Sequence, residues 1–333
     1  MPRVSVLIPC RDAAATAGEA FASIAEQTFR DLEIIAVDDG STDDTASILA
    51  RLAERDPRIR RLHNSGTGVA NALSAGLASA SGELIARMDA DDIADPRRLE
   101  RQLALLDAHS DIAACGTRVR YFPRRQVRDG ARRYEAWINA LSEPDDIARD
   151  VFVECPIAHP TLVIRRSRLD AVGGYSDRGW PEDYDLVLRL WRAGHRLANV
   201  PEVLLHWRER PDRLSRTDRR YDADAFRRCK AHHLARTHLF GRRALIIGAG
   251  PVGKAFARAL AAEHVPVAAF VDIDPRKIGQ TVHGAPVVAA QAVGRYRGAF
   301  ALAAVGSAES RVEIRTWLTG NGWRDGDEFC AVA

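Results

Sequence analysis

Two apolar runs in this chain stop abruptly in carboxylates. Leu32-Glu33-Ile34-Ile35-Ala36-Val37 runs into Asp38-Asp39, and Leu84-Ile85-Ala86-Arg87-Met88 runs into Asp89-Ala90-Asp91-Asp92. A buried strand does not accommodate a string of charges, so each run reads as a strand whose end delivers acid to the rim of a sheet. Two such ends at one edge of a parallel sheet lie where open α/β sheets bind ligands.

The flanking segments repeat the same alternation. Val4-Ser5-Val6-Leu7-Ile8-Pro9 is a β-branched run stopped by proline, after which Ala20, Phe21, Ile24 and Ala25 recur at helical spacing. A helix starting near Ser41-Thr42-Asp43-Asp44 carries Ile48, Leu49 and Leu52 on one face; Ile59 to Leu62 reads as a short strand; Val69, Ala72, Leu73 and Leu77 mark a further helix, ended by Ser81-Gly82. This predicts an α/β fold with a doubly wound, mainly parallel sheet. After Asp92, Pro96 opens a helix bearing Leu99, Leu103 and Leu106, residues 112–122 read as extended, and the arginine-rich stretch 123–133 reads as a solvated loop. Thr161 to Ile164 and Val203 to Trp207 read as strands, and Glu182 to Trp191 as a helix. A helix from Ala223 to His238 leads into Gly241, where the alternation restarts.

A chain of 333 residues exceeds what one hydrophobic core usually serves. Three parts are therefore expected: residues 1–220, a helical linker over 221–240, and a smaller domain over 241–333. Lys230, Lys254 and Lys277 are the only lysines, the net charge is +3, and no basic stripe alternates with aromatic residues, so nucleic acid is not an expected partner. The five cysteines are scattered without close pairs, which argues against a disulfide framework or zinc knuckle and for a reduced, cytoplasmic setting. No apolar run approaches the length of a membrane span, so at most peripheral contact with the inner face of a membrane is expected.

The chemistry is read from the acids. Asp89 and Asp91, two residues apart at a strand end, supply hard oxygen ligands of the kind Mg²⁺ or Mn²⁺ takes beside substrate phosphates; the plainer reading is an acid cluster before the helix at Pro96. Glu182 and Asp183 fall at a helix start, where simple capping also accounts for them.

Taken together, Ile8-Pro9, Val37 to Asp43, Asn64 to Asn71, Met88 to Asp92 and Glu182-Asp183, spread in order over residues 1 to 215, resemble the nucleotide-sugar-dependent family 2 glycosyltransferases of the GT-A fold. The resemblance implies that Pro9, Asp38 and Asp39 contact the base and ribose, with Asp39 the better reader of a base edge, and that Asn64 and Gly68 line the nucleotide pocket. It implies that Asp89 and Asp91 anchor metal and diphosphate, with Asp91 the better direct ligand. Asp183, with Glu182 beside it, matches the base that deprotonates the acceptor in an inverting transfer. Arg208, in the segment His206 to Arg210 followed by Arg213 and Ser215, matches a basic grip on the diphosphate, against a plainer reading as solvated surface. His159 is a weaker candidate for facing the acceptor and Trp180 for stacking on a sugar ring, each equally at home in the structure's interior. The sequence departs from the family at Cys10-Arg11-Asp12, which leaves the base open.

The last ninety or so residues carry Gly248, Gly250 and Gly253 between a predicted strand and helix, with Asp272 ending the next strand, the arrangement of a dinucleotide fingerprint. The segments Asp272 to Gly279 and Gly284 to Val287 resemble the small Rossmann-like domains that precede sugar-modifying acyltransferases or bind nucleotides in polysaccharide enzymes, which implies a nucleotide or nucleotide-sugar binding module, regulatory or substrate-presenting, with NAD(P) the other ligand left open; a structural or dimerising domain that kept the glycines for tight packing is the plainer reading. The expectation is thus a metal-dependent glycosyltransferase working from a nucleotide diphosphate sugar onto a hydroxyl of a glycan or lipid-linked acceptor in cell-surface polysaccharide synthesis, with a homo-oligomer left open. The alternatives are an NAD(P)-dependent oxidoreductase acting through residues 241–333 and a non-catalytic sugar-nucleotide sensor.

Overall fold

The computed structural model describes residues 1–64, 68–211 and 213–333, without the side chain of Ser215. The segment 64–71 expected to line a nucleotide pocket is therefore described only at its ends, and Ser215's expected role lies outside the described side chains. The chain divides into two compact units. The first comprises Met1–Ile147, Pro156–Arg178 and Arg189–Arg213, and the second Ala148–Cys155, Gly179–Leu188 and Leu214–Ala333.

In the first unit, β1 (Val4–Cys10), α1 (Ala17–Ala25), β2 (Leu32–Asp39), α2 (Thr45–Arg55), β3 (Ile59–Asn64), α3 (Val69–Ser79) and β4 (Leu84–Arg87) alternate as the sequence predicts. They are followed in the chain by β5 (Ile93–Ala94), α4 (Arg98–Ala108), β6 (Ile112–Phe122), α5 (Asp129–Ala140), α6 (Pro144–Asp150), β7 (Val163–Arg165), α7 (Arg166–Ala171), α8 (Glu182–Arg192) and β8 (Arg196–Arg208), of which the end of α6 from Ala148 and the start of α8 up to Leu188 cluster with the second unit. Among the described residues the sheet has eight strands in the order β3-β2-β1-β4-β7-β6-β8-β5. β1 to β4 are mutually parallel, whereas β7 runs antiparallel to β4 and β6, and β5 antiparallel to β8. Every residue of β2 and β4 is buried, the signature of central strands covered on both faces. Register places Cys10 opposite Asp38, and Asp39 opposite Asn64. The acids therefore share the C-terminal rim of the parallel half, and the sheet is of the mixed, parallel-dominated α/β class.

Three expectations change. Residues 124–126 form a 3₁₀ turn and Asp129–Ala140 an α-helix, not a solvated loop. Tyr134, Trp137 and Ile138 of α5 pack on the core, while Asn139 bonds both the N–H and the C=O of Val119 at 2.8 Å, and Glu135 accepts from the N–H of Tyr121. The helix satisfies β6 backbone with its side chains, a tertiary demand that outweighs the arginine-rich start. The stretch at Thr161 is a 3₁₀ turn, His159–Thr161, before β7. The helix expected as part of a linker, α10 below, clusters with the second unit.

The second unit contains α9 (Leu214–Thr217), α10 (Ala223–Ala235), β9 (Ala244–Ile247), α11 (Pro251–Ala262), β10 (Val267–Asp272), β11 (Thr281–Val282), β12 (Ala285–Ala289), β13 (Phe300–Ala303), α12 (Ala308–Gly320) and β14 (Phe329–Ala331). The strand order is β11-β12-β10-β9-β13-β14, parallel except for the β11–β12 hairpin. From β12 to β14 this is the 3-2-1-4-5 order of an open doubly wound sheet. Asp222 caps α10 by accepting from the N–H of Ala225 at 2.7 Å.

Candidate functional site

The rim of the first unit's sheet gathers two acidic groups. Asp39 ends β2 with its carboxylate 5% exposed; one oxygen accepts from Asn64 Nδ2 at 2.6 Å and the other from the N–H of Gly68 at 3.1 Å. Gly68 holds φ +100°, before α3, a conformation suited to glycine. Asp38 accepts from the N–H of Ser41 at 3.1 Å, and His63 lies 3.7 Å from its other oxygen. The loops after β1 and β2 are stitched together here. Asp12 accepts from Thr42, Ser41 Oγ accepts from the N–H of Asp12, and Asp43 accepts from the N–H of Ala14. Pro9, paired with Val37, lies beside them on the same rim.

Beyond β4 the chain turns through Asp89, Asp91 and Asp92, whose carboxylate oxygens lie within 4.8 Å of one another. Such crowding is unfavourable unless cations answer it. Burial, then the Asp89 charge, raises the pKa of Asp91 against the pull of Arg210 and Arg213. Burial, then Asp89 and Asp91, pushes that of Asp92 well up. Asp92 Oδ1 accepts from the N–H of Arg208 at 2.7 Å, while its Oδ2 is buried with no hydrogen-bond partner among the described residues.

Arginines surround this turn. Arg87, buried within β4, is ion-paired to Asp89. Arg208 donates from Nε to the C=O of Asp91 at 2.5 Å, pairs with Glu19, and lies 4.5 Å over the Phe122 ring. Arg210 Nε is 3.4 Å from Asp91. Arg213 sits 4.7 Å over Trp207, which stacks on Tyr121 at 4.9 Å, and is 3.6 Å from Glu209. Register carries this belt to the acids, because β5, directly after Asp92, pairs Ile93 with His206 of β8. The sequence pointed to Arg208; Arg87 stood inside the apolar run, and an arginine in an otherwise apolar buried strand was the signal that an acid awaited it, here the partly exposed Asp89. His159 is buried, and burial, then the Arg87 charge, pushes its pKa well down, so it is neutral at pH 7.

Glu182, Asp183 and Asp185 lie in the first turn of α8, within the second unit. Glu182 is 3% exposed and Asp185 fully buried, whereas Asp183 is half-buried and reachable by solvent. Trp180 bonds Asp185 through its indole N–H at 3.1 Å, within the second unit, and so has a structural use.

The glycine turn of the second unit is explained by its own packing. A Cβ on Gly253 would sit 2.0 Å from the C=O of Gly248, which itself holds φ +107°, and Gly250 precedes the proline that opens α11. Asp272 accepts from the N–H groups of Ala249 at 2.8 Å and Asp274 at 2.9 Å, and from Lys277 Nζ at 3.0 Å. The turn and its acid are thereby satisfied by the chain itself, and nothing in their geometry supports NAD(P).

The family profile described as Glycosyl transferase family 2 matches residues 5–173. EpsE of Bacillus subtilis is 34% identical over 228 residues, which is 67% of this chain and 79% of that protein. The chain belongs to glycosyltransferase family 2. A second relative of this transferase, the amylovoran biosynthesis glycosyltransferase AmsE of Erwinia amylovora, is 30% identical over 195 residues, 58% of this chain and 71% of AmsE. Among solved structures, residues 1–349 of S. aureus TarS in complex with UDP-GlcNAc superpose with a TM-score of 0.57 at 18% identity, covering 79% of this chain and 71% of that one. The mannosyltransferase PcManGT of Pyrobaculum calidifontis, in complex with GDP-Man and Mn²⁺, gives 0.54 at 19% identity, covering 98% of this chain and 82% of that one. The fold is of the GT-A type. Family membership leaves the oxidoreductase reading without support. No helix among the described residues is long and apolar enough to cross a membrane.

Proposed function

We propose that this transferase moves a glycosyl unit, with inversion, from a nucleoside diphosphate sugar to a hydroxyl of a growing glycan or lipid-linked acceptor in polysaccharide synthesis. The observation that carries the reading is the turn Asp89–Asp92, where three carboxylates converge and one buried oxygen has no hydrogen-bond partner among the described residues. Hard, crowded oxygen donors fit Mg²⁺ or Mn²⁺. Asp91 and Asp89 would hold the ion. When bound, it supplies positive charge beside the departing diphosphate.

The remaining roles belong to the chain's own side chains. Asp39, fixed by Asn64 and Gly68, presents a rigid acceptor edge for the nucleoside, with Asp38 and Pro9 beside it. Arg208 and Arg210 bring guanidinium groups to the acidic turn, where a diphosphate's oxygens take charge-assisted bonds. Asp183, the solvent-reachable acid of the α8 first turn, takes the acceptor proton as the acceptor oxygen attacks the anomeric carbon and the bond to the nucleoside diphosphate breaks. A relative named for amylovoran biosynthesis and neighbours solved with UDP-GlcNAc and GDP-Man support the donor and pathway class.

Release of free nucleoside diphosphate from a panel of UDP-, GDP- and dTDP-sugars, with and without Mn²⁺, tests the reading. Metal-dependent release from at least one donor is expected, falling roughly a hundredfold in Asp91→Ala. The anomeric proton of the product reports inversion. No release with any donor in the panel would overturn the assignment.

A further inference from the structure

The start of α8 is held by contacts that the transfer reaction itself does not require. Glu182, immediately before Asp183, accepts from the hydroxyl of Tyr221 at 2.5 Å. Burial, then the charges of Glu182 and Asp183, pushes the Tyr221 pKa well up, so the hydroxyl remains a proton donor. Asp185, two residues after Asp183, has one oxygen 3.1 Å from His233 Nε2 and 3.1 Å from the indole N–H of Trp180; Asp185 and His233 are both fully inaccessible to solvent. Between them, Tyr184 is fully buried and donates its hydroxyl to the C=O of Val151 at 2.7 Å. The residues leading into the helix are tied as well, since Arg228 donates to the C=O of Gly179 at 2.9 Å.

His233 and Arg228 belong to α10, and Tyr221 to the 3₁₀ turn before it. The acids on both sides of Asp183 are thus fixed from the segment 219–235, while Asp183 itself stays reachable. A buried carboxylate is costly unless it is bonded, so an acid on each side of the base needs a purpose.

We infer that Tyr221 and His233 are positioning residues that clamp Glu182 and Asp185, and so fix the rotation and reach of the Asp183 carboxylate about α8. The inference rests on the reading of Asp183 as the acceptor base. It makes the segment after the sugar-nucleotide fold part of the transferase. A base misplaced by about 1 Å loses on the order of a hundredfold in turnover, whereas donor binding, which does not use the base, is untouched.

The experiment compares Tyr221→Phe, His233→Leu, His233→Gln and Asp183→Asn, using the donor with the fastest release in the panel above. The readouts are kcat, donor KM, affinity for the free nucleoside diphosphate, and amide hydrogen exchange over residues 182–188. Tyr221→Phe and His233→Leu are expected to lower kcat about tenfold to a hundredfold with donor KM and nucleoside diphosphate affinity within about twofold, and to speed exchange in the first turn of α8. His233→Gln, which keeps an N–H donor toward Asp185, restores most of the turnover. Tyr221→Phe keeps the ring, so the clamp remains testable if His233→Leu does not fold.

Unchanged kcat in Tyr221→Phe and in any folded His233 variant, with Asp183→Asn inactive, would overturn the clamp and leave the base assignment standing. Near-normal turnover in Asp183→Asn would overturn the reading beneath it, as would a wild-type protein that releases nothing. Cys229 also lies within ligand distance of Asp185 and His233. One equivalent of tightly bound zinc in the purified protein, lost in Cys229→Ser together with activity, would replace the hydrogen-bonded clamp by a metal centre and overturn the inference.

Discussion

The rim that carries the acids depends on the opposite end of the same strands being fixed, and Glu33 is the residue that fixes it. From β2 its Oε1 accepts from Ser5 Oγ at 2.6 Å on β1, and from the N–H and Oγ of Ser81 at 2.7 and 2.6 Å before β4. Its Oε2 accepts from Arg60 on β3 at 3.0 Å. Burial works against the charge, but these bonds, led by Ser5, hold the pKa down from 4.5 to about 2. That difference corresponds to about 3 kcal/mol of stability. Arg60 is 51% exposed, and screening at that partner leaves about 2 kcal/mol. Because the folded pKa is depressed, the contribution is complete above pH 4.5 and is lost as pH falls from there through 2. Glu33→Gln keeps the shape and an acceptor oxygen and removes the charge. Thermal midpoints of both proteins between pH 7 and pH 3 test this. The variant should melt about 4–8 °C lower at pH 7, and the gap should shrink by more than half at pH 3. A gap that is the same at both pH values would show that shape rather than charge is responsible, and would refute the reasoning.

In the second unit, burial holds the His238 pKa down to about 4, with its ring stacked on Phe300 at 4.6 Å. The unfolded chain takes up a proton near pH 6.5 that the folded chain refuses until about 4, so stability falls across that window, and His238→Phe should remove the fall in a pH series of thermal midpoints. Mn²⁺ titration followed by electron paramagnetic resonance should show weak binding to the protein alone and about tenfold tighter binding with the nucleoside diphosphate of the active donor; equal affinity in both would count against the charge balance argued below.

The elements nearest the acids were legible because a strand that must be buried on both sides announces its end by its first charges. That logic located Asp38, Asp39, Asp89 and Asp91 and the parallel half of the sheet. It failed at α5, where Tyr134, Trp137 and Ile138 gain their value only against β6, and no local pattern encodes a helix whose Asn139 and Glu135 complete a strand's hydrogen bonds. It failed also at Tyr221 and His233. Their partners lie 39 and 48 residues away in sequence, so the pairing is visible only after folding. The glycine fingerprint was legible as a turn, but the contacts of Asp272 with Ala249, Asp274 and Lys277 were not, because they exist only in the folded chain.

The balance of charge at the acidic turn bears on the order in which ligands assemble. Arg87, Arg208, Arg210 and Arg213 stand against Asp89, Asp91 and Asp92, and two of these arginines are shared with further acids, Arg208 with Glu19 and Arg213 with Glu209. Among the described residues these four positive groups face five acids, and burial with the acidic neighbours pushes the pKa of one of them, Asp92, well up, so the arginines largely answer the turn's charge. A divalent cation arriving alone must compete with Arg210 for Asp91 while adding charge to a site that has little net need of it. A diphosphate arriving with the cation changes the balance, since its oxygens give the arginines a new partner and bring negative charge that the cation answers. Each ligand therefore removes the other's obstacle, and by linkage the gain is reciprocal. A turn built of acids alone would take the metal first; one surrounded by arginines favours metal and diphosphate together.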